Sequence, residues 1–176
     1  MEIEDMPISN TVWVDVNKLQ ANDYNPNVVL TKEMELLGLS ILKNGWIQPV
    51  LIIDDYTIID GFHRSTLVKE NKSINKLTNG KVPCVMLNIT PPQRMLLTIR
   101  INRAKGNHIA YKMHDVIDKL VNEYNIPLDT IAKEIGANKD EIDLLLQENV
   151  FTNKNIDEET RYTQAWIPQP KNIQKQ

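Results

Sequence analysis

The strand-like segments of this sequence all fall within its first ninety residues, and the strongest helical periodicity follows them. Runs at 12–19, 48–54, 56–60 and 82–89 show the alternation or the continuous apolar, β-branched character of strands. Strands that come early and helices that come late favour an α+β architecture over a doubly wound parallel sheet. We therefore predict a small mixed sheet with flanking helices, followed by an all-α module.

The segments between the strands differ in their helical signals. Residues 31–45 have a capping threonine, an early acidic turn and a terminal glycine, which predict a helix. Residues 71–80 are polar and are predicted to be a connector. After Pro91 and Pro92 a further helix is expected from about Gln93.

Residues 109–124 carry the clearest amphipathic pattern, with apolar side chains recurring every three or four positions. After a break at Pro127, two short helical segments are joined by Gly136, and Asn138 is placed to cap the second. Two short helices with a glycine turn are typical of a helix-turn-helix-like unit.

These patterns predict three parts of the chain. Residues 10–108 form the α+β domain, residues 109–148 form the helical module, and residues 149–176 form a polar tail that we expect to be partly disordered. Trp166 in that tail is a candidate for docking, either on the protein itself or on a partner.

Composition excludes several classes of protein. The 176 residues contain a single cysteine, Cys84, so an intramolecular disulfide framework is impossible. That cysteine lies in a predicted buried strand, where we expect an inert thiol. No stretch approaches the ~18 apolar residues of a membrane span, and the acidic N-terminus does not resemble a secretory signal. We expect a cytoplasmic protein with no membrane contact.

The charges are distributed unevenly. Residues 81–114 contain six basic residues and no acid, whereas residues 1–60 have a net charge of −7 and residues 115–148 a net charge of −6. A basic block between acidic flanks has two interpretations. It meets an anionic partner, or it pairs with the acidic flanks inside the fold.

Residues 56–67 (YTIIDGFHRSTL) hold the best candidate site. A strand runs into Gly61, and a helix starts at once with His63 and Arg64 in its first turn. Backbone N–H groups, the positive end of the helix and a guanidinium would then converge, which suits a phosphate. The alternative is that Arg64 anchors a loop or pairs with a carboxylate such as Asp60.

The order of short motifs resembles the ParB/sulfiredoxin superfamily. The motifs are NP (25–26), SIxxxG (40–45), QPV (48–50), IIDGFHR (58–64) and VPCVML (82–87). The resemblance implies that the Gly61–His63–Arg64 box cradles a nucleoside triphosphate, CTP or ATP with Mg²⁺. It also implies a second box on a later helix, where Asn102 and Lys105 stand at the matching positions.

The sequence also departs from the family pattern. Phe62 replaces the catalytic cysteine of sulfiredoxins, so sulfiredoxin activity is not expected. Ile101 stands where partition proteins carry an acid, and carboxylates assist phosphoryl transfer. An NTPase or kinase would need another acid, for which Asp60 is the candidate. We expect no metal held directly by protein ligands.

The basic segment, residues 94–112, raises a question of geometry. On an unbroken helix Arg100 and Arg103 share a face, and Lys105 lies about half a turn away from Arg100. Arg100 and Arg103 are therefore only secondary candidates for the nucleotide site. The same segment is the candidate DNA surface, because the predicted helix after Asn138 is mainly acidic and would be repelled by phosphates.

The leading functional hypothesis is a ParB-like nucleotide-binding switch, homodimeric or bound to a partner protein. It would act in a DNA-associated role, as a transcription regulator or as a partition-type accessory of a plasmid or prophage. Two alternatives stay open. One is a small ATP- or CTP-dependent phosphotransferase or ATPase on the same fold, and the other is an interaction subunit without catalysis.

Overall fold

A computed structural model of the chain describes residues 2–22, 31–105 and 110–146. In these residues four strands form one sheet, and helices pack around and after it. The strands are β1 (Val12–Asp15), β2 (Val50–Ile52), β3 (Ile58–Asp60) and β4 (Lys81–Met86). The helices are α1 (Thr31–Asn44), α2 (Phe62–Glu70), α3 (Lys72–Thr78), α4 (Pro91–Ala104), α5 (Ala110–Asn122), α6 (Leu128–Ile135) and α7 (Lys139–Leu146).

The sheet is mixed and has the order β1-β4-β2-β3. The central pair β2 and β4 is parallel, with Val50 opposite Cys84, and the two outer pairs are antiparallel. β2 and β3 are joined by a tight turn, while β4 arrives only after α2 and α3. This arrangement confirms the predicted α+β class, with a small mixed sheet and flanking helices followed by helices alone.

A first hydrophobic cluster forms between the sheet and helices α1 to α3. Its members are the alternating inward side chains of the strands together with the inner faces of these helices. The fully buried ones include Val50, Ile52, Val68, Ile74, Val82 and Cys84. Burial of this aliphatic surface stabilises the layer that carries the β3–α2 junction.

A second hydrophobic cluster joins helices α4 to α7. The amphipathic stripe predicted for residues 109–124 is buried here at Met113, Val116, Ile117 and Leu120. α4 contributes Met95, Leu96 and Ile99 to the same cluster. The predicted boundary between residues 108 and 109 lies outside the described residues, so it stays a prediction.

Two local predictions are wrong. The first strand ends at Asp15, whose carboxylate accepts a hydrogen bond from the backbone N–H of Asn17 at 2.8 Å and starts a 3₁₀ turn. The predicted connector at 71–80 contains α3. Asn71 caps α3. The one buried side chain of this helix, Ile74, lies in the first cluster. A single apolar anchor on a seven-residue helix is too little periodicity to be recognised in the sequence.

Helix ends follow the sequence signals more closely. α4 begins at Pro91, two residues before the predicted start. Thr90 and Gln93 form a capping box, in which the backbone N–H of Thr90 donates to Oε1 of Gln93 at 2.9 Å. At α7 the side chain of Asn138 accepts a hydrogen bond from the backbone N–H of Glu141 at 2.8 Å, as predicted. Throughout the described ranges, no helix combines the length and the apolarity needed to cross a bilayer. The NP motif at 25–26 and the tail with Trp166 lie outside those ranges.

Candidate functional site

The candidate site starts where β3 ends and α2 begins. Gly61 is the residue before the helix, with φ of +97° and ψ of 18°. A Cβ at this position would lie 3.0 Å from Nη2 of Arg64 and 3.1 Å from a methyl group of Val50. The strand–glycine–helix geometry is therefore as predicted, and glycine is needed for both its dihedral angle and its contact with the guanidinium.

Arg64 points back toward the sheet, and its side chain is only 11% exposed. Nη1 donates to the backbone carbonyls of Gln48 and Pro49, the latter at 2.9 Å, and Nη2 donates to Oδ2 of Asp60 at 3.0 Å. Burial lowers the pKa of this guanidinium from its ordinary value, and the Asp60 carboxylate opposes that effect. The alternative in which Arg64 pairs with Asp60 is therefore observed in this structure.

Lys105 reaches the same carboxylate from the far end of α4. Its ammonium lies 2.7 Å from Oδ1 of Asp60, and its side chain is 45% exposed. α4 ends at Ala104, and Lys105 takes the terminal position with φ of −82° and ψ of −3°. Two cations from different helices thus converge on Asp60 at the edge of the sheet.

Two further arginines of α4, Arg100 and Arg103, bind other acids instead of Asp60. Arg100 pairs with Glu134 at 3.1 Å, and Arg103 binds both carboxylate oxygens of Glu141 and the carbonyl of Gly136. Both arginines therefore fasten α4 to the acidic helices that follow, on the face predicted for them. Pairing of the basic block with its acidic flanks is therefore realised for Arg100 and Arg103, and also for Lys105 through Asp60.

Asn102 and His63 are placed near the ends of the same elements. Asn102 is buried in α4, with 8% of its surface exposed. His63 is half-buried in the first turn of α2, and its ring stands edge-on to Phe62 at 5.8 Å between centroids. Phe62, which stands where sulfiredoxins carry a catalytic cysteine, packs against the first hydrophobic cluster.

A cavity of about 210 Å³ opens beside Arg64. Its walls come from the end of α1 and the loop before β2, and they include Ser40, Gly45, Trp46 and Gln48. In the sequence these residues belong to the motifs SIxxxG and QPV, which mark the family resemblance but do not by themselves predict a site. The motifs could have signalled these residues, because both lie before or at the start of β2, whose Val50 is close to Gly61.

Other reactive groups lie apart from this region. Cys84 is fully buried in β4, and burial raises the pKa of its thiol from 9.0 to about 11. A thiol with this pKa is a poor nucleophile at neutral pH, in line with the expected inert residue. Among the described residues no three His, Cys, Asp or Glu side chains group in a way that would hold a metal ion.

Comparison with known families identifies the family of this chain. The sequence model of the ParB N-terminal domain matches residues 2–100, which is more than half of the 176 residues. The chain belongs to the ParB N-terminal domain family. The match confirms the resemblance drawn from the motifs, and it contains the Gly61 turn, while Asn102 and Lys105 lie just beyond its end.

Two curated relatives of this ParB-family chain cover most of it. An uncharacterized protein of Escherichia coli K12, YbdM, is 34% identical over 164 residues, or 91% of this chain and 77% of its own length. A probable chromosome-partitioning protein ParB of Rickettsia felis is 24% identical over 138 residues, or 77% of this chain and 46% of its own length.

Solved structures similar to this ParB-family chain include two of a C-terminally truncated ParB from Caulobacter crescentus. The form complexed with CTP-γ-S has 18% identity and a TM-score of 0.44, covering 76% of this chain and 74% of its own. The form complexed to the centromeric parS site has 17% identity and a TM-score of 0.49, covering 76% and 69%.

Proposed function

We propose that this ParB-family chain is a nucleotide-binding switch whose phosphate site is the turn at residues 61–64. The observation that carries the proposal is the convergence of Arg64, from α2, and Lys105, from α4, at one carboxylate at the end of β3. Two cations brought together from two different helices match an oxyanion ligand. His63 and Asn102, on the same two helices, are the further candidates for polar contacts.

The start of α2 supports phosphate binding independently of these side chains. The first N–H groups of a helix have no carbonyl partner within the helix, and they carry partial positive charge. No side chain caps this end of α2, since the preceding residue is Gly61. The absence of a Cβ also lets a ligand approach the backbone closely.

The cavity beside Arg64 supports a nucleoside rather than an isolated phosphate. Its volume of about 210 Å³ is below that of a pocket for a large ligand, but it suits a single flat ring system. Aliphatic and aromatic walls, including Ile41 and Trp46, offer apolar contact, and Ser40 and Gln48 offer polar groups that could read a base. Arg64 borders this cavity and the phosphate turn.

Mg²⁺ would enter this site with the nucleotide. Asp60 is the carboxylate at the turn, and both its oxygens already accept from cations, Arg64 and Lys105. These contacts do not fit a direct metal ligand. Phosphate oxygens and water would therefore complete the coordination that Mg²⁺ requires. While both contacts hold, Asp60 is poorly placed to act as a general base, so we propose binding rather than phosphoryl transfer.

We extend the proposal to a DNA-associated role, as in the partition proteins of the family. The contacts of Arg100 and Arg103 with Glu134 and Glu141 direct both arginines toward the protein. Any contact of the basic segment with DNA would therefore use its other basic residues or a changed arrangement of α4. A gel shift of a random duplex at two salt concentrations, with and without nucleotide, tests this role. Absence of a nucleotide-dependent shift would refute the switch.

The nucleotide proposal is tested by calorimetric titration of CTP and ATP, each with Mg²⁺, into the wild-type chain. Lys105→Met should weaken binding by about tenfold, the usual value of a charge-assisted contact. Lys119→Met is the matched control, because Lys119 on α5 is 39% exposed and pairs with Glu123, the residue after the end of that helix. No saturable binding of any triphosphate would refute the proposal, and equal effects of the two variants would remove Lys105 from the site.

A further inference from the structure

The carboxylate of Asp60 lies between the two cations assigned to the phosphate. Oδ1 is 2.7 Å from the Lys105 ammonium and Oδ2 is 3.0 Å from Nη2 of Arg64. Asp60 is 16% exposed at its side chain, so most of this anion is withdrawn from water. The Asp60 carboxylate is itself an oxyanion, and it already lies between Arg64 and Lys105, the two cations that would bind a phosphate.

The two cations differ in how firmly they are held. Arg64 is fixed by the carbonyls of Gln48 and Pro49 in addition to Asp60, so its guanidinium stays in place if the carboxylate leaves. Lys105 is half-exposed, lies at the very end of α4 and has four rotatable bonds in its side chain. A partly exposed ammonium–carboxylate pair of this kind exchanges readily for another anion.

We propose that Asp60 is an internal anion that competes with phosphate for Lys105 and Arg64, so that a triphosphate binds by displacing the Lys105–Asp60 pair. The inference rests on the proposed function, because it concerns the same phosphate site. A carboxylate and a phosphate present similar oxygen acceptors to a guanidinium and an ammonium, and they repel one another at short range. The strength of the Lys105–Asp60 pair therefore determines the concentration of phosphate that is needed to displace it.

The proposal predicts an unusual sign for a substitution at Asp60. Loss of a metal ligand, a general base or a residue that positions Arg64 would weaken nucleotide binding. Loss of an internal competitor strengthens it, because the two cations become available and one negative charge is removed from the site. Asn keeps a carbonyl oxygen that can accept from Arg64, so Asp60→Asn tests the charge alone.

The experiment measures the affinity of inorganic tripolyphosphate and of CTP with Mg²⁺ by calorimetry at one ionic strength. Asp60→Asn is expected to bind both probes at least about threefold more tightly than the wild-type chain, from the range of exposed ion pairs. Asp60→Glu, which retains the charge, should show no such gain. Glu70→Gln removes an exposed acid from the opposite end of α2 and should leave both affinities unchanged.

The outcomes separate this inference from the proposed function. If the wild-type chain binds and Asp60→Asn binds equally or more weakly, the competition is refuted. The proposed nucleotide site is not refuted by that result. Binding by Asp60→Asn alone supports the competition and overturns nucleotide binding by the native chain. Binding by neither overturns both, and an equal gain in Glu70→Gln reduces the effect to net charge.

A measurement on the wild-type chain covers the case in which Asp60→Asn does not melt cooperatively. The ¹³C resonance of the Asp60 carboxyl reports on its ion pairs. Tripolyphosphate should shift this resonance as Lys105 leaves, with the half-saturation concentration found by calorimetry. A resonance that stays in place at saturation overturns the displacement.

Discussion

Substitution of Gly61 by alanine tests whether the turn is built around the Arg64 guanidinium. Gly61 has φ of +97°, a conformation that a residue with a Cβ adopts at a cost of about 1–2 kcal/mol. The added methyl group would lie 3.0 Å from Nη2 and 3.2 Å from Cζ of Arg64, and 3.1 Å from Val50. These separations are shorter than ordinary van der Waals contact, so the guanidinium or the strand must shift.

The magnitude follows from these two effects. Overpacking of a well-packed site costs about 1–3 kcal/mol, and alanine recovers about 0.4–1 kcal/mol by restricting the unfolded chain. The net loss in the free energy of unfolding for Gly61→Ala is then about 2–4 kcal/mol. The matched control is Gly136→Ala, because Gly136 has φ of +67° but an added Cβ would meet nothing within 4 Å. Only the backbone effect remains there, about 1 kcal/mol.

Urea denaturation monitored by circular dichroism measures both variants against the wild-type chain. The difference between the two losses isolates the crowding at Arg64 and should be about 1–3 kcal/mol. If Gly61→Ala costs no more than Gly136→Ala, the guanidinium does not occupy the position described, and the reasoning about the turn is refuted.

Three further predictions concern stability elsewhere in the chain. Since burial raises the Cys84 pKa from 9.0 to about 11, the folded chain favours the protonated thiol, and unfolding free energy should fall between these pH values by up to about 1.4 kcal/mol per unit. Thermal melts of Cys84→Ala should show a smaller fall of stability with pH over this range. If the wild-type chain and the variant lose stability equally, the prediction is contradicted. Asn71→Ala should cost about 1 kcal/mol in urea denaturation through the lost cap of α3, and a neutral result would argue against that helix. Arg103→Met should cost about 1–2 kcal/mol in the same assay, and Arg100→Met, whose ion pair is 47% and 43% exposed, less than about 1 kcal/mol. Equal losses would show that burial of the Arg103 pair contributes nothing.

The secondary structure was predictable wherever an element buries a regular stripe. α5 has such a stripe, from Met113 to Leu120, and its burial is as expected. α3 was missed because Ile74 is its one buried side chain, and a polar helix with a single anchor is held by its neighbours rather than by its own pattern. The first strand was drawn too long because Asp15 ends it with a hydrogen bond to the following turn, which alternation does not reveal.

The local backbone of the candidate site was predictable from the sequence, but the contacts of its side chains were not. The glycine break and the helix start followed from residues 56–67, and the helical spacing separated Lys105 from Arg100 and Arg103. The cavity beside Arg64 was not foreseen, because its walls come from the end of α1 and the loop before β2. The titrations described above test the roles of these residues toward a nucleotide.

The sequence alone determined the class of the fold and the kinds of group available, because periodicity, glycine positions and charge are properties of local order along the chain. It also placed the basic block between two acidic flanks. Only the tertiary structure decided which acid meets which base. Asp60 and Lys105 are 45 positions apart, and Arg103 and Glu141 are 38 apart. Ion pairs over such separations depend on how α4 packs between the sheet and the last helices, and this packing is set by buried apolar surface rather than by the charges themselves.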